Sequence, residues 1–393
     1  MDRRRAPPGR DHLRRFYSGD AVGHVVAEAV SERAPGSVVD LGSGSGVLAA
    51  AASARWPAVH VTTLDVDPAA AEASRRNGHR HLPADVLGPA LQAATGLPRV
   101  DVVLSNPPFG IVPAQPHHVD VLAAAGLPTD APGSLELLFA AQALLLAKDG
   151  GSVVLVLSDG FATGRRNAGA RRAILASHRI ASVTQMPPGS FRGTEAGGFV
   201  LSLVKGAAPA QDVLLRRAKA DGTTCAEMRV SRAEAAERLD HGFHAAMRTG
   251  PAGPTLRDLG ASVVRGSCEP GGSTLPRDLI FHTTDFPRSG PRSVELPPSH
   301  ADRPAARIVL AEPGDVLLAR LGRGLERKVC LIAGGWAAPS SAVLRIRLPA
   351  GAGAKVADAL LSADGAERLS ATSRGTGARM LGREDLLAML LPL

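Results

Sequence analysis

The amino-acid sequence predicts an α/β protein: a parallel sheet with covering helices in its first half, then a smaller α+β domain. Three observations carry the prediction. Short apolar runs rich in valine alternate with helical patterns as far as about residue 206. Several of these runs end in glycine, proline or aspartate, where sheets of this kind place ligand-binding turns. After residue 206 the alternation gives way to short strands separated by Gly and Pro turns. The expected organisation is a domain over 1–206, a connector over 207–250 and a second domain over 251–393.

Each element has its own justification. "SGDAVGHVVAEAVSER" starts a helix with Ser18 as N-cap, since a hydroxyl there accepts from the open amides of a first turn. "SVVDLGSGSG" is a short buried strand entering a glycine-rich turn. "VLAAAASARW" is alanine-rich and helical, and "VHVTTLDVDP" is the next strand. Asp67 followed by Pro68 reads as the N-cap and first residue of another helix. "VDVVLSNPPFG" is a further buried strand, and "LELLFAAQALLLAKDGG" a helix ending in glycine. "SVVLVLSDG" is a strand, "RRNAGARRAILASHR" a basic helix, and "IASVTQMPPGSF" and "GGFVLSLVKG" are two more strands. The connector holds one strand, "DVLLRRA", and one Ala/Arg/Glu helix. Beyond it, short strands run on from "TLRDLGASVVRG", with helical patterns near 355–370 and 383–390.

Composition narrows the function. The 393 residues are 45% hydrophobic, enough for a sizeable core, but only 3% aromatic, so each aromatic in a loop carries weight. A net charge of +8 suits an anionic partner, nucleic acid above all, although an Ala/Arg-rich composition also produces it. Cys225, Cys268 and Cys330 are far apart and lack metal-ligand spacing, as do "HRH" (79–81) and "HH" (117–118), so no metal is expected. No apolar signal region or membrane-length run is visible, so a cytoplasmic protein without membrane association is expected.

Two motifs carry chemistry. In "DLGSGSG", Gly42, Gly44 and Gly46 stand between a strand and a helix, where glycine lets the backbone turn sharply and approach a ligand. The pattern is shared by several nucleotide-binding sheets, and a plain tight turn also explains it. It is sharpened by Asp65 at the end of the next strand, where an acid can hold two ribose hydroxyls, and by Asp85 after the following segment. These acids, with no Walker lysine, indicate an adenosine-containing cofactor without a phosphate chain. The second motif is "SNPPFG". Pro107 and Pro108 fix φ, Asn106 offers an amide oxygen, and Pro107 a carbonyl. Two such acceptors can take both hydrogens of one exocyclic amine and localise its lone pair. Phe109 offers a face on which a base can stack, worth roughly 1–3 kcal/mol. A stiffened loop whose phenylalanine plugs the core is the other reading. Downstream of the glycine turn and the ribose-type acid, the amine site is favoured. The segment 111–134 that follows reads as a loop beside the substrate mouth.

In this order the motifs resemble the amino-methyltransferases, specifically gamma-group DNA adenine-N6 methyltransferases of the N-6 DNA methylase family. The resemblance implies a Rossmann-like class I S-adenosylmethionine-dependent methyltransferase sheet with S-adenosylmethionine as cofactor. It places Tyr17 and Ser18 in the cofactor pocket, Asp40 and the glycine turn at the methionine end, Asp65 at the ribose and Asp85 at the adenine edge. It makes Asn106–Phe109 the catalytic tetrapeptide. Through "PPGSFRGTEAGGFVLSLVK" (187–205), it makes Phe191 a second face against a flipped base. Ser18-Gly19 stands where family members often have Thr-Pro. The long helical N-terminal region of type I modification subunits and a nuclease-like block are both absent ahead of the motifs, so no fused restriction activity is expected.

The segments 255–270, 312–322, 340–349 and the closing "RLSATSRGTGARMLGREDLLAMLLPL" resemble target-recognition domains of type I specificity subunits. That implies a double-stranded DNA partner, with Arg320, Arg323, Arg327, Arg374 and Arg379 as phosphate or base contacts. The basic helix 165–172 is a further candidate for backbone phosphates. The expected function is site-specific adenine-N6 methylation of DNA in a restriction-modification or related defence system, alone, as a homodimer or with a restriction or specificity partner. RNA or protein-glutamine methylation, and a non-catalytic DNA specificity protein, are the alternatives.

Overall fold

The computed structural model describes residues 19–191, 197–251, 253–269, 275–287, 293–296, 308–349, 351–375 and 379–393. The chain forms two compact units that meet in sequence between His241 and Gly242.

The first unit is built on one nine-stranded sheet. Its strands are β1 (Ser37–Leu41), β2 (His60–Asp65), β3 (Arg80–Pro83), β4 (Val100–Ser105), β5 (Ala147–Leu157), β6 (Arg179–Gln185), β7 (Phe199–Val204), β8 (Asp212–Ala218) and β9 (Thr224–Ser231). Its helices are α1 (Asp20–Ala29), α2 (Val47–Arg55), α3 (Pro68–Arg76), α4 (Leu91–Thr95), α5 (Pro116–Ala124), α6 (Leu135–Leu146), α7 (Asp159–Thr163), α8 (Ala168–Ser177) and α9 (Arg232–Glu237). Strand side chains alternate between two buried faces, which is why these strands read as near-continuous apolar runs. Val38, Val102, Leu104 and Val154 pack with Val22 and Val26 of α1 and Leu48 and Ala52 of α2. Val39, Val103, Val153 and Leu155 pack with Leu122 of α5, Leu138, Phe139 and Leu144 of α6, and Ile174 of α8.

The strand order is β3-β2-β1-β4-β5-β7-β6-β8-β9. Strands β3 to β5 are parallel, as expected. The sheet as a whole is mixed, because β7 runs antiparallel between β5 and β6. The segment read as a connector contributes two strands: β8 pairs parallel with β6, and β9 pairs antiparallel with β8. Three local readings also change. Helix α1 is capped by Gly19 (φ −80°, ψ 167°) with no side-chain bond, and Asp20 supplies the negative charge its first turn favours. Helix α6 stops at Leu146, because Ala147 already pairs with Val100 as β5 begins. Segment 111–134 holds α5, which buries Val121 and Leu122, and its ends are tied by the Ile111–Ser134 bridge. The Asp67–Pro68 start of α3 forms as read, Asp67 accepting from Ala69 N at 2.9 Å.

The second unit is α+β. A five-stranded sheet, β10-β17-β13-β15-β12, uses β10 (Ser262–Arg265), β12 (Ser293–Glu295), β13 (Val316–Ala319), β15 (Val329–Gly334) and β17 (Val343–Arg347). Two small ribbons pair β11 (Ile280–Phe281) with β16 (Ala338–Pro339), and β14 (Leu321–Gly322) with β18 (Arg379–Met380). Helices α10 (His241–Arg248), α11 (Gly353–Leu361), α12 (Ala363–Thr372) and α13 (Arg383–Leu387) complete it. Its first and last segments lie side by side. Thr255 bridges Leu390, and the Arg368 guanidinium, 1% exposed, donates to the carbonyls of Thr249 (2.6 Å), Pro251 (3.0 Å) and Leu390 (3.2 Å). In the closing segment Leu391 N also donates to the Pro254 carbonyl at 3.0 Å.

Candidate active site

The order of strands in the first unit reverses direction between β1 and β4: β2 and β3 lie on one side of that pair, β5 and the later strands on the other. Loops at the carboxyl ends of two such strands diverge and leave a crevice. The glycine turn leaves β1 and the "NPPF" segment leaves β4, so both chemical motifs open into it. A hydrogen bond holds the two strand ends together: Ser105 Oγ, fully buried, donates to the Leu41 carbonyl at 2.7 Å.

The turn is tied to β2. Gly42 N and Ser43 N both donate to the Leu64 carbonyl, at 2.8 and 3.1 Å. Gly42 has φ 68°, and a Cβ there would lie 2.9 Å from Cε1 of Phe139 on α6, so both backbone and space demand glycine. Gly44 N donates to Asp65 Oδ2 at 2.8 Å, and Asp67 N to Asp65 Oδ1 at 2.8 Å. Asp65 therefore organises the turn, with its remaining lone pairs left for a ligand. Gly46 (φ 77°) begins α2, and Asp40 Oδ2 accepts from Ala49 N in that helix's first turn at 3.1 Å. Asp40 is buried. Burial, together with the nearby Asp65 charge, pushes its carboxyl up to about 7 against the pull of the Ala49 amide. Its Oδ1 and the hydroxyl of Ser43 are buried with no hydrogen-bond partner among the described residues. Two orphaned polar atoms beside a glycine cradle are what a ligand with a charged amino-acid end would satisfy.

Asp85 lies on the exposed loop after β3 and accepts from Leu87 N at 2.9 Å. That loop returns to the site: Ala84 N donates to the Asp65 carbonyl, and Gln142 of α6 reaches the Gly88 carbonyl. Asn106, Pro108 and Phe109 are partly buried and Pro107 is buried, and Leu135 N donates to the Gly110 carbonyl, so α6 starts directly behind the tetrapeptide. Its buried Glu136 accepts from Ser158 N (2.7 Å) and Ser158 Oγ (3.0 Å) at the end of β5, and desolvation holds its carboxyl above the usual glutamate range. Ser105, Phe139 and Glu136 escaped the sequence reading. The only signal for Ser105 was its place just before "NPPF".

Several candidates stand elsewhere. Phe191 is 2% exposed and packed in the core beside α1, its ring filling the space a Cβ on Gly198 would occupy, so it is a core residue and not an open stacking face. Tyr17 and Ser18 lie outside the described residues. In the second unit the Arg374 guanidinium is held bidentately by Asp385 (3.0 and 2.7 Å). Arg379 reaches the Ser370 hydroxyl and the Ser373 carbonyl, both at 3.2 Å. Both arginines are thus bonded within their own unit. Arg320 borders β14, Arg323 follows it, and Arg327 is 88% exposed beside Glu326. Of the basic helix, Arg171 is 1% exposed and donates to the carbonyls of Phe161, Gly164, Ala236 and Glu237, which removes it from any phosphate contact. Among the described residues no group of three His, Cys, Asp or Glu could hold a metal ion, and no helix is long and apolar enough to cross a membrane.

Comparison with known proteins gives this geometry its context. Residues 83–246 match the family described as N-6 DNA Methylase, and residues 18–135 the Methyltransferase small domain. A tRNA1(Val) (adenine(37)-N6)-methyltransferase of Porphyromonas gingivalis is 30% identical over 99 residues, covering 23% of this chain and 39% of that protein. A ribosomal RNA small subunit methyltransferase C of Pseudomonas entomophila is 46% identical over 79 residues, covering 19% of this chain and 22% of that protein. The chain thus spans well under half the length of these relatives. The solved structure of the type IIG restriction endonuclease BpuSI is 13% identical with a TM-score of 0.52, covering 95% of this chain and 57% of that one.

Proposed function

On the premise of a class I methyltransferase fold of the N-6 DNA Methylase kind in the first unit, we propose that this chain is a site-specific DNA adenine-N6 methyltransferase using S-adenosylmethionine. The observation that carries the reading is the crevice between β1 and β4, where the Ser105–Leu41 bond sets the glycine turn and "NPPF" side by side. Asp40 and the turn would hold the methionine end of the cofactor, Asp65 the ribose, Asp85 the adenine edge, and Tyr17 with Ser18 the pocket wall. Bound there, S-adenosylmethionine supplies an electrophilic methyl group on a sulfonium.

The chain's own work is on the amine. The Asn106 side-chain oxygen and the Pro107 carbonyl accept its two hydrogens, which draws the nitrogen lone pair out of conjugation with the ring. No general base is needed to create the nucleophile. The prolines hold both acceptors at fixed separation, and Phe109 steadies the ring by stacking. The paired adenine amine is out of reach in a duplex, so the base must be extruded, at a cost of a few kcal/mol that stacking and edge contacts offset. The second unit would bind the surrounding duplex, with the net charge of +8 in support. A restriction-modification or related defence role follows from a methylase joined to a recognition domain, with a restriction or specificity partner or a second copy of the chain completing it.

The names of the RNA-modifying relatives make RNA the second reading, since one tetrapeptide serves any planar amine. The 152-residue second unit beyond the part matched to those relatives argues for DNA. The test is adenine modification in DNA of a methylation-free host expressing this chain or its Asn106→Ala variant. N6-methyladenine at one short motif, lost in the variant, is expected. Unmodified DNA in both would refute the proposal.

A further inference from the structure

Large apolar side chains are exposed at few places among the described residues, and two of them stand opposite each other. Leu321 (36% exposed) and Met380 (41%) are cross-strand partners in the β14–β18 ribbon. The ribbon is rigidly placed. Arg320 N donates to the Ala342 carbonyl, Leu381 N to the Arg320 carbonyl, and Arg374 and Met380 exchange two backbone bonds at 2.7 and 2.8 Å. Its exposed side chains are therefore presented, not left over from a loose end. A cation lies against the pair. Arg320 lies against Met380 Sδ at 3.4 Å, and burial and the charge of Arg265 on β10, on the far side of β17, both push its pKa down. Arg265 itself reaches the Ser341 carbonyl and, at 3.4 Å, Glu269. An apolar pair beside a cation fits a DNA groove, where methyl groups and base edges lie between two rows of phosphates.

We propose that the β14–β18 ribbon is the specificity element of the second unit, Leu321 and Met380 meeting base edges while Arg265 and Arg320 meet phosphates of the same duplex. This rests on the DNA reading above and assigns its recognition surface.

The experiment uses the full chain, the Leu321→Ser/Met380→Ser variant, Met380→Lys, and Arg265→Gln/Arg320→Gln. Methylated positions are mapped in host DNA, and affinity for a fluorescent random-sequence duplex is measured against salt. The serine variant should lose about tenfold or more of the methylation at the parent's motif relative to other sites. Its affinity for random duplex should stay nearly unchanged. Met380→Lys should tighten random-duplex binding while blurring the motif. The arginine variant should weaken binding to every sequence and lower the salt slope by about two. An unchanged motif in both Met380 variants, or a serine variant that changes only the sedimentation of the protein, overturns the proposal, the latter by assigning the patch to a protein partner. If the parent modifies no DNA yet binds one duplex sequence over others, and the serine variant loses that preference, the ribbon assignment stands and the methylation reading fails.

Discussion

Replacing Asp40 by asparagine should stabilise the cofactor-free protein while weakening its hold on the cofactor. Asp40 is buried and accepts one backbone amide, from Ala49, while its second oxygen has no partner among the described residues. The folded carboxyl titrates at about 7 where the ordinary value is 3.8, which makes the charged form about 4 kcal/mol costlier in the fold than in the unfolded chain. The sign follows from proton linkage. Between those pH values the folded state holds a proton that the unfolded chain has released, so stability falls as pH rises and the loss is complete above about 7. The Asp40→Asn side chain would keep an oxygen for Ala49 and carry no charge, so the variant lacks this slope. It should match the parent near pH 4 and exceed it at pH 8 by about 2–4 kcal/mol, relaxation around the carboxylate accounting for the lower figure. Urea unfolding at both pH values reads this directly, with Trp56 of the first unit as probe in a Trp336→Phe background. Histidines with depressed pKa values oppose the slope, which is why the comparison is parent against variant. The same variant should bind S-adenosylmethionine weakly at every pH, whereas the parent gains affinity as pH rises through 7. Parallel stability curves, with no growth of the difference toward pH 8, would refute the reasoning.

Other outcomes follow from single contacts. Gly42→Ala meets both φ 68° and the Phe139 ring at 2.9 Å, so it should cost about 1–3 kcal/mol and most cofactor affinity, and Phe139→Leu should recover only the part due to the ring; calorimetry on the single and double variants separates the two. Ser105→Ala removes the bond to Leu41 and leaves that carbonyl buried, for about 1–2 kcal/mol, and should lower turnover more than it raises KM for DNA. Arg368→Met strips three carbonyls of their donor and should destabilise the second unit by about 3 kcal/mol or more, visible in the unfolding midpoint of Trp336 fluorescence.

What the sequence made legible were features written within a few residues: the strand and turn around "DLGSGSG", the Asp67–Pro68 helix start, and the strand that delivers "NPPF". What it hid depends on pairing across long stretches. Nothing local to "GGFVLSLVKG" says that it inserts antiparallel between β5 and β6, and nothing in "DVLLRRA" says that it extends the same sheet. Side-chain fate is hidden in the same way. Phe191 and Phe109 look alike as aromatics after prolines, yet one fills the core beside Gly198 and the other stays partly exposed beyond the end of β4. Arg374 and Arg379 read as free cations until Asp385, Ser370 and Ser373 are folded against them. Segment 111–134 read as a loop because of its place right after the tetrapeptide, but its apolar Val121 and Leu122 have a helix face to fill.

In the proposed function the crevice methylates adenine in DNA. The most direct test gives the purified chain S-adenosylmethionine with a labelled methyl group and offers host DNA, total tRNA and ribosomal RNA in separate reactions. Label in DNA, recovered as N6-methyladenine and absent with Asn106→Ala, is the predicted result. Label confined to either RNA would contradict it.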